Sequence, residues 1–300
     1  METIIYQVDA FTDKLFGGNP AGVVPDAKGL TEQDMQKIAN EMNISETAFI
    51  TKIDKDCFEV RFFTPKCEVD LCGHATIASF YALGEKGYIR SEGREKVTIT
   101  QRTKAGLLPV ELYFKNDKIE KVLMHQKSPK SFGIINELEE ITEILGIEKE
   151  QLGLEDMDLK PEIISTGLKD IIVPVKSEET LKNLKVNFEK MEGLCISKDT
   201  IGFHVFTLNK SNQLIYCRNF SPLVGIYEEA ATGTANGALM HYLKKHNILK
   251  TNAIVVKQGQ YMDRPSEILC EIREAAAGEV ILIGGKAIIV MEGIIKTHCK

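Results

Sequence analysis

Two short polar stretches carry the residue types in this sequence that could do chemistry. They read Cys72-Gly73-His74 and Thr232-Gly233-Thr234, and each precedes an apolar run that is typical of a buried helix. The first backbone N–H groups of a helix have no partner inside it, so a bound carboxylate can accept from them at the positive end of the dipole. The two stretches therefore predict a pair of anion-holding helix starts for a small carboxylic acid.

Ionisable side chains accompany both stretches. A lone histidine is commonly structural, but His74 follows a helix-opening glycine, which favours a functional part. Glu46 lies at a helix-to-strand junction, where its position alone is typical of a solvent-exposed charge. Burial raises the pKa of a carboxyl and helix dipoles lower it, and the sequence does not decide between these effects for Glu46.

The sequence predicts neither a metal nor a cofactor. Cys67, Cys72 and His74 do not have zinc-site spacing, and no second pair completes such a site. The 7 cysteines are odd in number and contain no Cys-x-x-Cys pair, so we expect most of them to be buried, reduced thiols. The glycine pair at 17–18 lacks the Gly-x-Gly-x-x-Gly pattern of a dinucleotide site.

Each polar stretch belongs to a module that the chain contains twice. An aromatic strand ends at a Thr-Pro or Ser-Pro turn, a loop follows, and a glycine opens the helix. The strands with their turns are Arg61-Phe62-Phe63-Thr64-Pro65 and Arg218-Asn219-Phe220-Ser221-Pro222. A repeated module in 300 residues predicts two similar halves.

The expected fold class is α+β, with two pseudo-symmetric domains. Each is a curled, mixed, barrel-like β-sheet around a central buried helix. We place the first half at residues 1–127, completed by the C-terminal strand at 288–300, and the second at 128–287. Helices are predicted from the N-cap Thr31, over 135–145 and over 177–184.

Bulk composition excludes several function classes. A net charge of -6 and a pI near 5.7 argue against a nucleic-acid partner, because such proteins concentrate positive charge. No apolar window is long enough for a membrane span, and the first residues have a strand pattern rather than a signal-sequence pattern. These features predict a soluble cytoplasmic protein without a membrane partner.

A resemblance becomes specific when the motifs are taken together. The sequence resembles the phenazine-biosynthesis PhzF-like family over nearly its whole length. The motifs that carry the resemblance are Asp9-x-Phe11-Thr12, Phe16-x-Gly18-Asn19-Pro20-Ala21, Ser45-Glu46-Thr47, Phe62-Phe63-Thr64-Pro65, Leu71-Cys72-Gly73-His74-Ala75-Thr76, Ala231-Thr232-Gly233-Thr234-Ala235, Gln258-Gly259-Gln260, Arg264-Pro265-Ser266 and Gly284-Gly285-Lys286-Ala287.

The resemblance implies a diaminopimelate epimerase-like fold, a substrate cleft between the halves and a homodimer. It also implies isomerisation without a cofactor, in which a glutamate moves a proton between carbons of a small carboxylate metabolite. Glu46 matches that glutamate, and His74 and Glu229 complete the implied catalytic set. The substrate-binding residues implied by the matching motifs are Asn19, Ser45, Cys72, Gly73, Thr232, Gly233 and Thr234.

One departure and two alternatives remain open in the sequence. Glu229 stands where the family's reference pattern has Asp, which puts the reference substrate in doubt but not the proton-transfer class. Cys72 also allows a one-thiol epimerase or dehydratase, whereas a two-thiol racemase is disfavoured because Thr232 holds the second thiol position. A non-catalytic protein that binds small acids is the alternative from another class.

Overall fold

The computed structural model describes residues 2–209, 214–275 and 278–297 and divides the chain into two compact units. Gln126–Ile283 form the second unit, and the segment from Gly284 onward joins the residues up to His125 in the first. The elements up to His125 are β1 (Glu2–Ala10), β2 (Asn19–Val24), α1 (Glu32–Met42), β3 (Glu46–Asp54), β4 (Cys57–Phe63), β5 (Glu68–Val69), α2 (Gly73–Glu85), β6 (Lys96–Thr103), β7 (Gly106–Lys115) and β8 (Lys118–His125).

The remaining elements begin at Lys130. They are β9 (Lys130–Ile134), α3 (Leu138–Leu145), β10 (Glu162–Ser165), β11 (Lys169–Pro174), α4 (Glu178–Lys182), α5 (Phe188–Lys198), β12 (Gly202–Asn209), β13 (Leu214–Ser221), β14 (Ile226–Glu229), α6 (Gly233–Lys245), β15 (Ala253–Gln258), β16 (Ser266–Ala275), β17 (Gly278–Gly285) and β18 (Ala287–Lys296). Short 3-10 turns link some of them.

The two units repeat the same order of strand pairings. In the first, β1 and β2 are antiparallel, β2 and β3 parallel, and β3 and β4 antiparallel; β4 then pairs antiparallel with β5 and parallel with β6. In the second, β10 to β15 follow the same pattern, with β11 parallel to β12 and β13 parallel to β15. The sheets are mixed, and β18 extends the first by pairing with β1.

A buried helix lies against each mixed sheet. Helix α2 packs on β1, β2, β8 and β18, and α6 packs on β10, β11 and β16. Every residue of α2 from His74 to Phe80 is buried, as are most residues of α6. A helix that is apolar nearly all round has no face to give to solvent. The α+β class with a central buried helix is therefore confirmed.

The first helix forms where its capping signal predicts. Thr31 accepts a hydrogen bond from the backbone N–H of Asp34, whose carboxylate accepts one from the backbone N–H of Thr31. Met35, Ile38 and Ala39 form its buried face, and Asn43 ends it in the left-handed conformation. The chain then turns directly into β3, which starts at Glu46.

Helix α5 and strand β9 are among the elements that the sequence did not predict. Helix α5 buries Met191, Leu194 and Cys195, but the apolar Ile196 is 69% exposed. Because an apolar residue also lies on the exposed face, the sequence lacks a clear helical repeat of apolar positions. Strand β9 is exposed along its whole length and has no alternation. The helix predicted over 135–145 begins three positions later, at Leu138.

Two glycines of the second unit should respond oppositely to replacement by alanine. A Cβ on Gly202 would lie 1.9 Å from the backbone oxygen of Phe220, whereas one on Gly193 meets nothing within 4 Å. We expect Gly202→Ala to lower the free energy of unfolding by about 3 kcal/mol through overpacking. Gly193→Ala should raise it by about 0.5 to 1 kcal/mol. Urea unfolding measures both, and equal effects would contradict the packing described for β12.

Candidate functional site

The local fold brings Glu46 to the start of α2. Glu46 is the first residue of β3 and is in register with Ala21 of the parallel strand β2. Strand β4 returns antiparallel to β3 and leads through β5 to Cys72, the N-cap of α2. Cys72 and His74, which lie 26 and 28 positions after Glu46 in the sequence, thus become neighbours of Glu46.

Four of the predicted site residues form one cluster in the first unit. Nε2 of His74 lies 3.2 Å from Oε2 of Glu46 and 3.3 Å from Oγ of Ser45. Nδ1 of His74 lies 3.4 Å from Sγ of Cys72. The Ser45 hydroxyl donates to the carbonyl oxygen of Pro20, so it accepts from the His74 ring. The imidazole therefore bridges the thiol on one side and the carboxylate and hydroxyl on the other.

The contacts in this cluster shift the pKa values of Glu46 and His74 in opposite directions. Burial opposes ionisation of Glu46, but His74, Ser45 and Cys72 beside it keep the pKa of Glu46 below its usual value. Burial likewise disfavours the imidazolium, yet its contacts with Cys72 and Glu46 raise the pKa of His74 well above the usual value. Both shifts favour the charged forms, a carboxylate at Glu46 and an imidazolium at His74.

Cys72 stays a thiol in this environment. Burial, followed by the nearby charge of Glu46, raises the pKa of the Cys72 thiol above its usual value. Donor atoms of Glu46, Cys72 and His74 all lie within 4.8 Å of one another, so the trio has the donor types of a metal site. Nδ1 of His74 faces Sγ of Cys72 at 3.4 Å, whereas Nε2 faces Oε2 of Glu46 at 3.2 Å and lies 3.9 Å from the same sulfur. A carboxylate, an imidazole and a thiol in such contact can exchange protons.

The start of α2 offers an open place beside this cluster. Its N-cap Cys72 makes no side-chain capping hydrogen bond among the residues that the structure describes. A Cβ built on Gly73 meets nothing within 4 Å. Open space beside uncapped N–H groups at the positive end of a helix suits a bound carboxylate.

The predicted site residue Asn19 is the first residue of β2, is 4% exposed and pairs with Ala10 of β1.

The second unit has its own polar cluster at the start of α6. The Thr232 hydroxyl donates to Oε2 of Glu229 at 2.5 Å. Gln258 accepts from the backbone N–H of Thr232 at 3.2 Å and donates to its hydroxyl at 3.1 Å. Asn236 donates to Oε1 of Gln258 at 2.9 Å, and Gln258 donates to the backbone oxygen of Glu229 at 2.8 Å. Glu229 is thus fixed from two sides.

The remaining predicted residues adjoin this second cluster. Gly233 is the buried first residue of α6, and the backbone oxygen of Thr234 accepts from the Thr166 hydroxyl at 2.8 Å. Gln258 and Asn236 hold Glu229 and Thr232 in place, although neither is a predicted site residue. Gln258 lies 26 residues after Thr232, so spacing gives no signal of the contact. Binding of a substrate between the halves stays a prediction.

The His74–Glu46 pair predicts a specific titration behaviour. Because the folded pKa of His74 is raised, its stabilising charge is fully present below its unfolded pKa and is lost as pH rises through the folded pKa. We expect Glu46→Gln to lower that pKa, because burial then acts on His74 without the carboxylate. NMR titration of the ring nitrogens measures the change. An unchanged His74 titration in Glu46→Gln would contradict the pairing, and exposed Glu41→Gln is the control.

Two α+β units of matching topology, each with a buried helix whose start carries polar residues, have the diaminopimelate epimerase-like fold. A hydroxyproline epimerase from Agrobacterium vitis shares this fold at a TM-score of 0.63 with 9% identity, covering 98% of this chain and 92% of that one. At such identity the likeness shows the fold alone.

Closer similarities extend over almost the whole chain. The family model described as phenazine biosynthesis-like protein (PhzC-PhzF) matches residues 8–293. An uncharacterized isomerase of Clostridium acetobutylicum is 38% identical, with 96% of each chain covered. A PhzF-family protein of Bacillus anthracis has a TM-score of 0.86 at 31% identity, covering 99% of this chain and 100% of that one. The chain belongs to the phenazine biosynthesis-like family and is an enzyme of the isomerase class. None of the described helices has the length and apolar character to cross a membrane.

Proposed function

We propose that this enzyme moves a proton between carbons of a small carboxylic acid without a cofactor, with Glu46 as the general acid and base. The observation that carries the proposal is the burial and the contact of one carboxylate oxygen of Glu46. Oε2 of Glu46 is buried and pairs with Nε2 of His74 at 3.2 Å. Each oxygen of an ionised carboxylate has two lone pairs, so one on Oε2 is left to accept a proton from carbon.

Positive charge beside the base favours removal of a carbon-bound proton. A lowered pKa makes Glu46 a weak base, so the substrate proton must be made more acidic. The His74 imidazolium and the N–H groups at the start of α2 supply donors for the negative charge that develops on the substrate. The protonated Glu46 then returns the proton to a second carbon, and the original charges are restored.

The polar cluster at the start of α6 is proposed to bind the substrate. Its Glu229 carboxylate is fixed by the Thr232 hydroxyl and, through its backbone oxygen, by Gln258. Such fixing preorganises a group for contact with a substrate. Glu229 has one more methylene than the Asp of the reference pattern, which shifts the carboxylate, so we propose a small carboxylic acid different from the reference substrate.

We also propose that the enzyme is a homodimer, and analytical sedimentation measures its oligomeric state.

The alternative that uses Cys72 as its base is disfavoured by the same cluster. A thiol base must be ionised, but burial and the charge of Glu46 raise the pKa of Cys72. We therefore expect Cys72→Ser to keep most of the activity, measured as turnover of the substrate. A loss as large as that of a Glu46 variant would instead favour the one-thiol mechanism.

Capture of the natural ligand separates the three functional hypotheses. The protein is incubated with a cell extract, re-isolated, and its bound acids are identified by mass spectrometry and returned to fresh enzyme. A proton shift between carbons and an epimerisation both leave the mass unchanged, but NMR shows a new arrangement of double bonds for the first and an inverted stereocentre for the second. A dehydratase yields a product that has lost water, and bound acids that stay unchanged favour a non-catalytic binding protein.

A further inference from the structure

Asp170 in β11 is a buried acid that the proposed mechanism leaves unused. It is 0% exposed, and neither of its carboxyl oxygens has a hydrogen-bond partner among the described residues. An ionised carboxylate in such a place is strongly unfavourable, because neither water nor a donor solvates it. The geometry points to a carboxyl group that keeps its proton.

The position of Asp170 parallels that of Glu46. In the first unit Glu46 of β3 is in register with Ala21 of β2. At the matching place of the second unit Gly202 of β12 is in register with Asp170 of β11. Gly202 has no room for a side chain, since its Cβ would lie 1.9 Å from a backbone oxygen. The second unit thus carries an acidic residue, Asp170, on β11, whereas the first unit carries Glu46 on β3, the counterpart of β12.

Contacts tie this part of the sheet to the start of α6. The Thr166 hydroxyl, in the turn between β10 and β11, donates to the backbone oxygen of Thr234 at 2.8 Å. Burial, and then the charge of Glu229, raises the pKa of Asp170 well above its usual value. Cys195 of α5 also interacts with Asp170, but burial raises the pKa of that thiol to about 11 and keeps it neutral. The charged neighbour is therefore Glu229 of β14.

We propose that Asp170 is a positioning residue of the α6 site: as a neutral carboxylic acid it leaves Glu229 as the single negative charge there. A second buried negative charge would repel the Glu229 carboxylate, which the α6 cluster fixes for contact with the substrate. The inference rests on the proposed function in that Glu229 belongs to the substrate site. The test of Asp170 uses no substrate, so its outcome is independent of whether the enzyme turns over the captured acid.

Infrared difference spectroscopy observes the protonated carboxyl directly. We expect a carboxylic acid C=O band at pH 7 in the full-length protein that is missing from Asp170→Asn. In Glu229→Gln the same band should disappear at a lower pH than in the parent, because a negative neighbour has been removed. A buried acid that lies too far from Glu229 to be affected by its charge would not respond to this change. Absence of the band at pH 7, or no response to Glu229→Gln, overturns the proposal.

Stability against pH gives a second readout. Between the unfolded and folded pKa of Asp170 the folded state holds a proton that the unfolded state lacks, so stability falls as pH rises. The folding constant of Asp170→Asn relative to the parent should therefore grow about tenfold per pH unit upward from about pH 4. Asp158→Asn, at an exposed position, is the control without such a slope. A relative folding constant that does not change with pH would contradict a neutral Asp170.

Discussion

Replacement of Glu46 by glutamine should reduce turnover roughly 100- to 10,000-fold, the range that a general acid or base contributes. The amide keeps the size of the side chain but cannot take a proton from carbon. Its place near His74 and Ser45 is otherwise preserved, so we expect binding of the captured acid to change far less than turnover. Rates of product formation by NMR, with affinity by calorimetry, measure the two effects.

The matched control for this prediction is Glu41→Gln. Glu41 is an exposed residue near the end of α1, a few positions before Glu46 in the chain, and its change should leave the rate as it is. Equal rates in the parent and Glu46→Gln would remove Glu46 from the reaction. A loss confined to affinity would assign it to binding instead.

Replacement of Gly73 by alanine should move stability and activity in opposite directions. A Cβ at this position meets nothing within 4 Å, so the fold accepts it, and alanine in a helix adds about 0.5 kcal/mol to the free energy of unfolding. The same methyl group fills the space in which we place the substrate carboxylate. Since displacement of a bound substrate by about 1 Å costs about 100-fold in rate, we expect a loss of that order.

Two measurements check this prediction on the same protein sample. Urea unfolding gives the stability, and turnover of the captured acid gives the activity. Activity equal to that of the parent would mean that the open space beside Gly73 is not where the substrate lies. Lost stability would instead contradict the packing described for the start of α2.

Local signals predicted the parts of the fold that depend on local energetics. The capping box at Thr31 and the apolar runs of α2 and α6 act within one or two turns, so the sequence shows them directly. The duplicated module predicted the matching topology of the two units because both copies have the same strand-to-helix order. The predicted boundaries at 127 and 287 stay predictions.

The candidate site was predictable in its members but not in their contacts. Motifs selected Ser45, Glu46, Cys72 and His74, and the structure shows that they form one cluster. The direction of the Glu46 pKa depended on how close His74 comes, which spacing does not reveal. Asp170 had no signal at all, because an acid inside an apolar strand is recognised only from its burial. The roles of these residues remain proposals.

Deuterium uptake in heavy water tests the central claim most directly. The enzyme and its captured acid are incubated in D2O, and deuterium is located in the product by NMR. We predict that the parent enzyme incorporates deuterium at carbon and that Glu46→Gln fails to do so, while Glu41→Gln behaves as the parent. Uptake at carbon that is undiminished in Glu46→Gln would contradict proton transfer by Glu46.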